Sequence, residues 1–106
     1  MDTLKFIQSI HDKKKVRVIF FSKEDQSLET RLCAPMDYGP TQRKGAKDLR
    51  DKFHFWDYES PDGPHTLSLA ADQIMSIEPT SLSFDPGEFV SWTPKWLIKR
   101  NWGAYS

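Results

Sequence analysis

Apolar residues at Leu4, Phe6, Ile7 and Ile10 recur at the spacing of one broad helix face, so the chain is predicted to open with a helix. Asp2 or Thr3 stands ready to cap it, and the pattern runs to about Lys13. Lys13, Lys14 and Lys15 fall at its C-terminal end, where cations suit the helix dipole, and read as a solvated helix end. Val16-Arg17-Val18-Ile19-Phe20-Phe21 is β-branched and aromatic and predicts a first strand. After a polar turn from Ser22 to Ser27, the stretch from Leu28 to Ala34 alternates. Leu28, Leu32 and Ala34 face one way, Glu29 and Arg31 the other. Pro35 ends regular pairing or marks an edge. Residues 37–51 then carry Gly39-Pro40, Gly45 and a charged run, and read as one long irregular loop of the kind that is usually functional or disordered.

Phe53-His54-Phe55-Trp56-Asp57-Tyr58-Glu59 is the strongest strand. It has aromatics on both faces, so either both faces are covered or one presents an aromatic surface. Ser60-Pro61-Asp62-Gly63-Pro64 has the chemistry of a hairpin turn, which would place His65 opposite Glu59. His65 to Leu69 alternates cleanly, and Ile74 to Glu78 makes a further short strand. Asp85-Pro86-Gly87-Glu88 is a helix start in capping-box register. Thr93-Pro94 repeats the signal before Lys95 to Arg100, with Gly103 placed as a stop. The resulting class is mainly β (α+β): an N-terminal helix, then a five-stranded antiparallel meander curled into an SH3-like or Sm-like barrel that closes its edges, then short C-terminal helical segments. Residues 1–90 are expected to form the single domain and residues 91–106 a basic, aromatic C-terminal extension.

Composition narrows the class further. A chain of 106 residues fits one domain. Cys33 is its only cysteine, which excludes an internal disulfide and favours a reducing compartment. No apolar run approaches the roughly 20 residues of a membrane span, and Met-Asp-Thr-Leu-Lys-Phe lacks a signal peptide's apolar stretch, so a cytoplasmic location is expected. The formal net charge is zero but unevenly spread: residues 53–94 contain seven acids and no Lys or Arg. Either the folded surface divides into a positive and a negative face, or neighbouring strands pair their charges and cancel the field.

Catalytic chemistry is hard to find. His11, His54 and His65 have no Cys or His neighbours at ligand spacing, so neither a metal nor a cofactor is expected. Cys33 and His54 lie on neighbouring predicted strands, but no activating turn or oxyanion hole accompanies them, and Cys33 reads as a small buried hydrophobe. Asp57 and Glu59 are simply i, i+2 neighbours, and no phosphate-binding glycine loop is present. The expectation is therefore a binding module and not an enzyme. Basic residues interleaved with aromatics suit nucleic acid, with rings stacking on bases while cations meet phosphates. Two segments have that composition. One is the loop with Arg43, Lys44, Lys47, Arg50 and Lys52 beside Phe53 and Trp56; the other is the tail with Trp92, Lys95, Trp96, Lys99, Arg100 and Trp102. The alternatives are a protein partner or self-association through the aromatic strand or residues 92–106, or a short amphipathic helix on a membrane surface.

Several segments together resemble the WYL domain, a Sm-like barrel found mostly in bacterial regulators. Arg31-Leu32-Cys33-Ala34-Pro35 is similar to the family's Arg-x-hydrophobic-x-Pro strand end. Phe53 to Tyr58 stands in the place of the naming Trp-Tyr-Leu strand, and Leu67-Ser68-Leu69 through Asp72-Gln73-Ile74 resembles the strand-and-turn that follows it. Phe84-Asp85-Pro86 completes a likeness spanning roughly residues 4–90. The family's two arginines after the aromatic strand correspond to Ser68 and Gln73 here, which leaves Arg31 as the matching basic position. The resemblance implies a ligand-sensing module, without the family's usual helix-turn-helix, that binds single-stranded nucleic acid or a nucleotide. Arg31 would sit on the barrel wall, Arg43, Lys44, Lys47 and Arg50 would supply phosphate contacts, and Trp56 would provide a stacking surface.

Overall fold

A computed structural model describes residues 3–106; Asp2, one of the two expected caps, lies outside them. Helix α1 (Thr3–Asp12) fully buries Phe6 and Ile10. Leu4 does not share their face and is 77% exposed. At 3.6 residues per turn it lies roughly 160° around from Phe6, so the buried stripe is centred on Phe6 and Ile10 and not on Ile7. The helix ends at Lys13, which takes the left-handed conformation with φ of 53° and returns its N–H to the Ile10 carbonyl. The lysine run is thereby divided: Lys14 already begins a strand and donates to Ser83 Oγ at 3.0 Å, while Lys15 lies over the Tyr58 ring at 4.5 Å.

Five antiparallel strands follow: β1 (Lys14–Ser22), β2 (Ser27–Gly39), β3 (Lys52–Asp57), β4 (His65–Ala70) and β5 (Ile74–Ser83). They lie in the order β4-β3-β2-β1-β5, so β5 crosses back to pair with β1. The sheet is curled but not closed, leaving β4 and β5 as its edges. Register shifts in the β1–β5 and β2–β3 pairings supply part of the curl. Helix α1 packs against β1, β2 and β5, with Phe6 edge-on to Phe53 at 5.0 Å and to Phe55 at 5.3 Å.

Two sequence expectations shift. Pro35 does not end β2, which continues to Gly39 through a register shift between Pro35 and Asp37. Pairing of β2 with β1 stops at Val16↔Cys33, so Pro35 lies where no β1 partner needs its missing N–H. The irregular loop is correspondingly shorter, residues 40–51. On the other side of β3, His65 pairs with Asp57 and not with Glu59. Tyr58 and Glu59 leave the ladder because β2 and Asp57 claim them. Tyr58 N–H donates to the Leu32 carbonyl at 3.3 Å, Glu59 Oε1 accepts from Leu32 N–H at 2.6 Å, and Asp57 Oδ1 accepts from Glu59 N–H at 2.9 Å.

One face of β3 is fully buried and the other half-buried. Phe53 and Phe55 point to the helix, while Trp56 stacks on Phe89 at 5.5 Å and 12°. Phe89 follows the 3-10 turn Pro86–Glu88, which carries the expected cap: Asp85 Oδ1 accepts from Gly87 N–H, and Glu88 Oε1 accepts from Asp85 N–H. The predicted helix from Lys95 to Arg100 does not form. Its Leu97 and Ile98 N–H groups donate instead to the Asp37 carboxylate at 2.9 and 3.0 Å, which competes with any helical ladder. The Arg100 side chain is fully buried between the Trp96 and Trp102 rings, 4.3 and 4.4 Å from their centroids, and donates to Asp37, the Met36 carbonyl and the Ile98 carbonyl. Trp102 is buried, and its Nε1–H donates to the Ile10 carbonyl at 2.9 Å, a second donor there beside Lys13 N–H. Residues 91–106 are thus fastened to β2 and to the helix. A last 3-10 turn, Gly103–Tyr105, closes the chain.

Candidate functional site

Several charges of the two sequence halves meet and cancel. Arg31 pairs with Asp57 at 2.8 Å, Arg50 with Asp72 at 3.5 Å, and Arg17 lies opposite Glu78 in the β1–β5 ladder. What survives as chemistry is concentrated in two clefts, one on each side of the β3–β4 hairpin.

The first cleft, of about 470 Å³, brings together Arg31, Ser68 and Gln73, the three positions picked out by the family resemblance. Its electrostatics are not those of an anion pocket. Lys23 and Arg31 face four carboxylates, Glu24, Asp25, Asp57 and Asp62. Arg31 is committed to Asp57, whose side chain is 1% exposed, and approaches Glu29 at 3.9 Å. An Arg so paired has little charge left for a ligand.

The second cleft, of about 520 Å³, falls within the size range of small-molecule pockets, roughly 300–1,000 Å³. Its floor is the β3–β4 edge, with His54, Thr66 and Ser68; one wall is the start of the irregular loop, Pro40 to Gln42; the other is Trp92, Lys95 and Trp96. Gln42 Nε2–H donates to the Lys95 carbonyl at 2.6 Å, so the loop and the tail are joined directly. Trp92 and Trp96 meet edge-to-face at 6.1 Å. Trp96 is fixed, with Nε1–H donating to the Tyr105 carbonyl at 2.8 Å and Arg100 over its ring. Trp92 is 43% exposed and has ring surface to offer. The start of the irregular loop and the basic, aromatic tail therefore meet at one cleft, with the loop's basic residues beyond its lining.

The expected site residues separate into two groups. Arg43 and Lys44 follow directly on the cleft wall, Lys47 lies further along the same loop, and all three are exposed. Among the described residues no carboxylate forms an ion pair with Arg43, Lys44, Lys47 or Lys95. Arg50 is bound within the loop itself, bidentate to Asp48 at 3.0 and 3.1 Å, and Lys52 joins the same carboxylate at 3.3 Å. Those contacts, Arg50 foremost, hold the Asp48 carboxyl well below its usual range. Arg31 lies in the other cleft, and one face of Trp56 is taken by Phe89. His54, Thr66 and Ser68 were not singled out as one site in the sequence; the hairpin register, with His54↔Ser68 and Trp56↔Thr66 as cross-strand pairs, is the signal that unites them.

Nucleophilic chemistry gains no support from the geometry. Burial raises the Cys33 thiol, and nearby Asp57 raises it further, so the thiolate is disfavoured. His54 pairs with Asp37 in the ladder, and Cys33 with Asp57, so the two are out of register. Among the described residues no group of three or more His, Cys, Asp or Glu side chains is arranged to hold a metal ion, and no helix is long and apolar enough to cross a membrane.

No protein-family model matches the chain, and no curated protein matches it. A solved structure with a similar fold is proteasome accessory factor B/C (PafBC) of Arthrobacter aurescens, with a TM-score of 0.58 and 19% sequence identity. The match covers 90% of this chain and 14% of that protein. At this level of identity the likeness shows the fold alone.

Proposed function

We propose that this chain is a WYL-like, non-catalytic regulatory module that binds single-stranded nucleic acid or a nucleotide. The helix, the curled five-stranded sheet and the fold shared with proteasome accessory factor B/C support the first half of that reading. The observation that carries the second half is the joined cleft, in which exposed Trp92 and unpaired Lys95 stand beside the loop bearing Arg43 and Lys44. Stacking on a ring with adjacent cations for phosphate is the recognition mode of single-stranded ligands. In this reading Arg43, Lys44, Lys47 and Lys95 meet phosphates and Trp92 stacks on a base. Arg31 serves the sheet through Asp57, Arg50 orders the loop, and Trp56 anchors Phe89.

The test is intrinsic tryptophan fluorescence during titration with a short single-stranded oligonucleotide at low and then physiological salt. Saturable quenching that weakens as salt rises is expected. Arg43→Glu combined with Lys44→Glu should lower affinity and flatten the salt dependence by about 0.7 in logarithmic slope per lost phosphate contact. Affinity and slope unchanged in that variant would overturn the assignment of the loop.

A further inference from the structure

Resting on this reading, the polar floor of the cleft carries information about which base it accepts. His54 sits between two partners: its Nε2 lies 2.9 Å from the Gly39 carbonyl and its Nδ1 lies 2.7 Å from Ser68 Oγ. A backbone carbonyl has no proton to give, so Nε2 carries the hydrogen and donates to it. In the neutral ring Nδ1 is then an acceptor, and the proton at 2.7 Å must come from Ser68. The Ser68 hydroxyl is thereby used up as a donor. Its lone pairs are presented at the exposed cleft floor as acceptors only. Thr66, two residues earlier on β4, keeps a hydroxyl that can take either role and does not discriminate.

We infer that the cleft selects bases that bear an exocyclic amino group over those that present a carbonyl at the same position, with Ser68 as the reader and His54 as its positioning residue. Cytosine and adenine carry an amino group at that edge as a donor for the Ser68 oxygen. Uracil and thymine place their 4-carbonyl there, acceptor against acceptor, and offer only the neighbouring ring N3–H in its stead. Cytosine and uracil differ at that edge with similar size and stacking area, so this pair isolates the effect.

The experiment compares oligocytidylate with oligouridylate of equal length, and CMP with UMP, by fluorescence titration on the whole chain. The cytosine ligands should bind about three- to tenfold tighter, the worth of one hydrogen bond made against one left unmade. Ser68→Ala should bring the two affinities together. His54→Ala should do the same, because it frees the Ser68 proton to satisfy a carbonyl. A preference in the oligomers but not the mononucleotides identifies a strand as the ligand; a preference in both identifies the nucleotide unit. Equal binding of the cytosine and uracil ligands to the unaltered chain overturns this inference and leaves the proposed function standing. No binding of any of the four removes both. A preference that survives Ser68→Ala assigns the reading to another group and refutes the role of Ser68.

Discussion

The contact that positions the tail wall of the cleft is the Asp37 carboxylate, and replacing Asp37 with Asn should be among the most damaging single-atom changes available to this protein. The side chain is 7% exposed and accepts from four donors: Tyr38 N–H at 3.0 Å, Leu97 N–H at 2.9 Å, Ile98 N–H at 3.0 Å and Arg100 Nη2–H at 3.3 Å. In Asn one oxygen survives and can keep the contacts made by Oδ1, but the new NH₂ group is set against the Leu97 N–H, donor to donor. The larger effect is on the Arg100 side chain, fully buried and left without a counter-charge. Burial lowers its guanidinium to about 10 even with Asp37 raising it, and an arginine does not escape burial by giving up its proton at neutral pH. Removing one partner of a buried pair costs about 3–5 kcal/mol. Because Asn retains part of the hydrogen bonding, the lower end, about 3 kcal/mol, is expected. A domain of this size holds roughly 5–15 kcal/mol in all, and the corresponding fall in Tm is about 13 °C at ~2.1 cal/mol/K of unfolding entropy per residue. Urea unfolding followed by tryptophan fluorescence measures it, with Trp96 and Trp102 flanking the altered site. Arg100→Met should cost less, about 1–2 kcal/mol, since Asp37 keeps three backbone donors and the buried cation is gone. A loss under about 1 kcal/mol in Asp37→Asn, or the reverse order of the two variants, would refute the account of the buried clasp.

Further outcomes follow from individual side chains. The Tyr58 hydroxyl is buried with no hydrogen-bond partner among the described residues, so Tyr58→Phe should stabilise the fold by about 1 kcal/mol in the same urea assay. Burial first, then Glu88, pushes the Tyr58 phenol up to about 12, above its ordinary value of 10. Its stability contribution is therefore complete below pH 10 and lost between about 10 and 12, as the unfolded chain ionises first. A stability profile across that alkaline window should be flatter in the Phe variant. Gly39 has φ of +139°, and a methyl added there would lie 2.5 Å from Leu97 Cδ1. Gly39→Ala should therefore combine backbone strain with displacement of Leu97 and destabilise by about 1–3 kcal/mol, read as a lower Tm. Arg31→Met leaves Asp57 buried without its cation and should cost about 3–5 kcal/mol in urea unfolding; a neutral result would show that Glu59 N–H alone satisfies the carboxylate.

Local pattern determined much of this protein. The helix stripe, the aromatic strand, the alternation of β4 and the capping box at Asp85 all rest on contacts among near neighbours, and periodicity reports those directly. The basic and aromatic character of the loop and of the tail was equally legible, because composition survives folding. What only the tertiary structure decided is where these pieces meet. Lys95 to Arg100 carries helix signals, but its N–H groups find a buried carboxylate some sixty residues earlier, and a long-range charge-assisted bond outweighs a weak local preference. Arg31 has the makings of a ligand residue until the β2–β3 ladder brings Cys33 opposite Asp57 and puts a carboxylate beside the guanidinium. The β3–β4 ladder, which ends two residues earlier on the β3 side than the turn chemistry implies, is set by Leu32 capturing Tyr58 and Glu59. The same hairpin sets Ser68 across from His54, and no single segment could have announced that pair, since each half of it is an ordinary polar residue on a strand until the other arrives.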